Sequence, residues 1–61
     1  MWICEAQDDN DEWWTIAGNY DDLPSPDQGG TPEMVIEAEK LSADRAGVTY
    51  NALRAEWMEE E

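Results

Sequence analysis

The side chains that could carry chemistry in this chain are almost all carboxylates. There are sixteen Asp and Glu, no His and a single Cys in 61 residues. Carboxylate pairs could serve as general acid and base, but only across a substrate cleft that separates their pKa values. A domain this small rarely has room for such a cleft. Cys4 lacks a histidine to activate its thiolate and reads as a small buried hydrophobe. Asp8, Asn10 and Glu12 alternate as the ligands of a calcium loop do, but Trp13 replaces the glycine at the sixth position. Asn19 stands where the bidentate acid belongs. The reading is therefore of no enzyme, no cofactor and no metal. With one cysteine there is also no internal disulfide.

The densest anionic run, Asp8, Asp9, Asn10, Asp11, Glu12, sits directly against Trp13 and Trp14. Asp and Asn favour turns, and the residues on either side favour strands. "MWICEAQ" places Trp2, Cys4 and Ala6 on one face and Ile3 and Glu5 on the other, while "WWTIAG" is a strand-like return. The pattern predicts a hairpin with strands near 1–7 and 13–18. A loop of about fourteen residues with Pro24, Pro26, Gly29 and Gly30 follows, and Tyr20 and Leu23 are placed to pin it.

A helix is predicted over 32–46. Thr31 is its N-cap, Pro32 its first residue, and Glu33 complements its dipole. Met34, Ala38, Leu41 and Arg45 fall at helical spacing, beside Val35, Ser42 and Ala46, and Gly47 is the C-terminal stop. The last segment reads two ways. Thr49 caps a possible helix over 49–60, but a third strand near 48–57 completes a sheet that a lone hairpin cannot sustain. The expected fold is α+β: a small three-stranded antiparallel sheet with one helix packed on it, β-β-α-β, in one domain spanning 1–61. The alternative is a β-hairpin plus two helices.

"ADRAGVTYNALRAEW" resembles the helix-turn-helix DNA-binding family. Ala43 lies four residues before Gly47, Val48 follows the glycine, and Leu53 sits six beyond it. The resemblance implies a recognition helix from about Thr49 to Trp57. Arg54 is the one cation in that stretch, whereas phosphate contacts need several.

Charge limits the partners. The net charge is −13, and the first 39 residues hold eleven acids and no base. Nucleic acid and anionic membranes are polyanions and are disfavoured. No apolar run reaches the roughly 18 residues of a membrane span, and no basic n-region marks a secretory signal, which points to the cytoplasm. A compact sphere of this length would be about 27 Å across. Duplex DNA of that length carries on the order of 16 charges.

In length, acidity, scarcity of cysteine and spare aromatics the chain resembles the phage-encoded DNA-mimic inhibitors: anti-CRISPR proteins, anti-restriction proteins and uracil-DNA glycosylase inhibitors. That resemblance implies a non-enzymatic stoichiometric inhibitor of the anti-CRISPR type, acting in the host cytoplasm. Its partner would be a basic nucleic-acid-binding host protein or complex. The partner-binding residues read from the sequence are Asp8, Asp9, Asp11, Glu12, Trp13, Trp14, Tyr20, Asp21, Asp22 and Asp27, gathered into one patch where the hairpin turn and the Pro/Gly loop meet. A solvated acidic turn is the competing account of the same run. Two or three of the four tryptophans are expected in the core. The second function class is a small acidic structural or regulatory adaptor working through protein–protein contacts. A monomer is favoured, with a homodimer open.

Overall fold

The computed structural model describes residues 1–16, 18 and 20–59. It is an α+β fold in which a three-stranded antiparallel sheet carries one helix on one face. The strands are β1 (Trp2–Gln7), β2 (Trp13–Thr15) and β3 (Ala52–Trp57), in the spatial order β2-β1-β3. A 3-10 turn (Pro26–Gln28) interrupts the long loop, and the helix α1 spans Pro32–Ala46.

β1 is the centre of the molecule. Its residues alternate as the sequence predicts, with Trp2, Cys4 and Ala6 buried toward the helix and Ile3, Glu5 and Gln7 half-buried on the other face. All six pair with β3, from Trp2 opposite Trp57 to Gln7 opposite Ala52, and Glu5, Ala6 and Gln7 also pair with β2. The final segment is thus a strand, and neither the helix over 49–60 nor the recognition helix of the helix-turn-helix resemblance forms within the described residues; Glu60 lies outside them.

The strand begins at Ala52 rather than 48 for a physical reason. The Val48 N–H bonds the Ala43 carbonyl at the helix C-terminus (2.8 Å), and the Tyr50 hydroxyl reaches back to Glu39. Those residues are committed to the helix end before the chain can align with β1. β2 is likewise shorter than predicted, ending at Thr15. The Ile16 N–H still bonds the Cys4 carbonyl (2.9 Å), while Ala17 and Asn19 lie outside the described residues.

The core is small: Trp2, Cys4 and Val35, with Ile16, Tyr20, Leu23, Leu53 and Ala55 packed against it. Trp2 is the buried tryptophan. It donates its indole N–H to the Pro24 carbonyl (2.8 Å) and meets Trp57 edge-on at 5.3 Å. Trp13 is half-buried, and Trp14 and Trp57 are exposed, fewer in the core than expected. Tyr20 and Leu23 do pin the long loop. Within it Gly30 passes so close to Pro24 that a Cβ would strike the Pro24 carbonyl.

The helix bounds agree with the prediction, but the buried stripe does not. Val35, Glu39 and Ala43 face the core, while Met34, Leu41 and Arg45 are exposed. Thr31 occupies the N-cap position with extended backbone yet makes no side-chain cap bond. Pro32 and Glu33 stand where predicted, in the first turn.

Candidate functional site

The acidic hairpin turn is built around Asp8. Its Oδ1 accepts the backbone N–H groups of Asn10 (2.8 Å) and Glu12 (3.0 Å), and its Oδ2 accepts the Trp14 indole N–H (2.6 Å). Three donors aimed at one carboxylate favour its charged form. The Trp14 bond, followed by the Glu12 N–H, holds the Asp8 carboxyl below the usual range. The juxtaposition of acids and tryptophans in the sequence therefore has a local cause: Asp8 closes the turn and ties Trp14 to it. Asp11 takes up positive φ (63°), which Asp tolerates better than most residues. The Asp9 Oδ1 accepts from Asn51 Nδ2 (2.8 Å), joining the turn to the segment before β3. Asp11 and Glu12 are exposed.

Trp13 points to the sheet face away from the helix, where the Arg54 guanidinium lies 4.1 Å from its ring centre. Arg54 Nε also donates to Glu5 Oε1 at 3.2 Å. Registry explains the trio, because Arg54 and Glu5 are cross-strand partners and Trp13 lies on the adjacent strand.

The remaining candidates stand at the opposite end of β1. Asp21 and Tyr20 line a cleft with Met1, Trp2, Leu23, Trp57 and Glu59, whereas the hairpin turn follows Gln7 at the other end of the strand. Six residues of strand lie between, roughly 20 Å at about 3.3 Å each. The single patch gathered from both loops is thus divided between two ends of the sheet. Asp22 and Asp27 are exposed on the second loop, which is tied to the Trp2 end through Pro24.

One residue the sequence reading passed over is Glu39. It is 7% exposed, with Oε2 accepting from the Tyr20 hydroxyl (2.9 Å) and Oε1 from the Tyr50 hydroxyl (3.2 Å). A buried carboxylate needs such donors to offset its desolvation. Burial first, and then the bond to Glu39, push the Tyr20 hydroxyl far above its ordinary pKa. Tyr20 thereby links the loop to the helix. The available signal was Val35–Glu39–Ala43 at i, i+4, i+8, obscured by the glutamate at its centre. Cys4, fully buried beside this cluster, has its thiol pushed up by burial, the opposite of a nucleophile's tuning.

Eleven of the fourteen described acids are exposed; Glu39 is buried, and Glu5 and Asp8 are intermediate. Among the described residues no helix is long and apolar enough to cross a membrane. No known protein family matches the chain, and neither does any curated protein or solved structure.

Proposed function

We propose that this protein is a non-enzymatic stoichiometric inhibitor of the anti-CRISPR type. It imitates the charge of nucleic acid and occupies the cationic nucleic-acid-binding surface of a host defence complex in the cytoplasm. The observation that carries this reading is the density of net charge on a flattened body. The molecule measures 33 × 23 × 16 Å, longer and thinner than a sphere of its mass. Its net charge of −13 over the 33 Å long axis amounts to one negative charge per ~2.5 Å. That falls between a single DNA strand, about 3.4 Å per charge, and the duplex, about 1.7 Å. Such a surface attracts a basic channel at long range and repels competing polyanions.

The test is displacement. The protein is titrated into preformed complexes of fluorescent DNA with an RNA-guided nuclease, a restriction enzyme or a uracil-DNA glycosylase. Release of DNA at near-equimolar protein, weakening as salt rises, supports the reading. Retention of DNA by all three at low salt overturns it. Because Asp8 and Asp9 hold the turn together, the charge-removal variant is Asp11→Asn with Glu12→Gln, which should slow association and lower its salt dependence.

The adaptor reading draws on the exposed Trp14, Trp57 and Met58, residues that favour protein contacts. Sedimentation at low and high salt separates the two, since a homodimer at both would favour the adaptor.

A further inference from the structure

We propose that the cleft at the start of β1 is a receptor for one arginine side chain of the partner protein. The cleft encloses about 430 Å³. Trp2, Tyr20 and Leu23 form its more buried part, and Trp57, Asp21 and Glu59 are exposed around it. Indole surface beside two carboxylates matches the chemistry of a guanidinium, which is planar, stacks on aromatic rings and pairs with carboxylates through a fork of donors. A lysine ammonium is a strongly hydrated point charge and uses the ring less well.

The molecule carries a filled example of the same recognition on its other sheet face. There the Arg54 guanidinium covers the Trp13 ring at 4.1 Å and pairs with Glu5 at 3.2 Å. The cleft has the same kinds of side chain, indole and carboxylate, among its described lining residues, and no Arg or Lys. The positive group beside it is the Met1 ammonium, which donates to the Met58 carbonyl (2.6 Å). The Tyr20 hydroxyl is likewise engaged, with Glu39. The charge of the surroundings favours a cation, since Asp22 and Asp27 stand on the same loop as Asp21 and Leu23.

This inference rests on the proposed function for the kind of protein that brings the arginine, and on the cleft's own chemistry for the site. A titration of the isolated protein keeps the two apart. An uncharged-end Gly-Arg-Gly peptide is added at physiological salt while the four indole N–H signals are followed by NMR. The expected result is a saturable shift at Trp57 and Trp2 that exceeds those at Trp13 and Trp14. The peptide with citrulline in place of arginine should give none, and the lysine peptide should bind more weakly. Asp21→Asn with Glu59→Gln should weaken the arginine peptide by roughly three- to fivefold, as should Trp57→Leu. Glu33→Gln with Glu37→Gln, the same charge change on the exposed face of α1, should leave it unaltered. Equal shifts at all four indoles, equal binding of citrulline, or equal loss in the Glu33/Glu37 variant would overturn the proposal. The fold of the acid variant is checked by the amide spectrum of the free protein, so the outcome is readable even if Trp57→Leu fails to fold.

Discussion

Asp8 shows how a residue chosen by sequence for its charge can owe its place to local bonding. Its two oxygens accept from Asn10, Glu12 and Trp14, so it organises the turn from which Asp11 and Glu12 project. Its carboxyl is held below the ordinary range, and the sign of the resulting pH dependence follows directly. A group whose pKa is depressed in the folded state stabilises the fold above its unfolded pKa, near 3.9, and loses that contribution as pH falls through the folded value. Acidification also relieves repulsion among the other acids, which acts in the opposite direction. The prediction is therefore a difference. Asp8→Asn should unfold at lower temperature than the parent at pH 6–7, and the gap should close as pH is lowered past the carboxylate range. A gap that is constant with pH would mean that the charged form of Asp8 contributes nothing. Glu39 is the complementary case, a carboxylate whose place is set by two phenols from distant segments rather than by neighbours in sequence.

Among the elements, the end of α1 decides where the sheet can close. Gly47 adopts φ 72°, and its N–H faces the Ala43 and Asp44 carbonyls. No atom would obstruct a side chain there, so the cost of substitution is backbone strain alone. Gly47→Ala should destabilise the fold by about 1 kcal/mol, lowering the melting temperature by about 4–8 °C for a domain of this size. Gly47→Asn should cost less, because Asn enters the left-handed region more readily. Thermal unfolding followed by circular dichroism checks both. The turn at Gly47 carries the chain through Val48 and Tyr50 to Ala52, where β3 takes up its register against β1.

For the molecule as a whole, a small core works against a large charge. Trp2, Cys4 and Val35 anchor the fold, while the eleven exposed carboxylates among the described residues repel one another. Raising NaCl from about 0.01 M to 0.1 M shortens the screening length from about 30 Å to about 10 Å, from nearly the full 33 Å length of the molecule to a third of it. The melting temperature should rise over that range, by about 4–8 °C for each kcal/mol of repulsion relieved. An unchanged or falling melting temperature would show that the acids are not in net repulsion. The same salt should weaken binding to a basic partner, so folding and function respond to ionic strength with opposite signs.

Much of this architecture was legible in local pattern. The alternation of β1, the turn chemistry of Asp8–Glu12, and Pro32 and Gly47 at the ends of α1 all act over a few residues. Each carries its own conformational preference, and the whole-chain charge follows from counting. Three features depended on contacts between distant segments. The segment from Ala52 to Trp57 contains good helix formers, and it is a strand because pairing with all of β1 satisfies its backbone and completes the sheet. The helix turns Val35, Glu39 and Ala43 inward, instead of Met34 and Leu41, because Tyr20 and Tyr50 supply donors to Glu39 from outside the helix. The two acidic loops lie at opposite ends of β1 because Pro24 is bound to Trp2 and Asp9 to Asn51. Local propensity cannot encode those pairings: the partners are 22 and 42 residues apart and meet only once the sheet has formed.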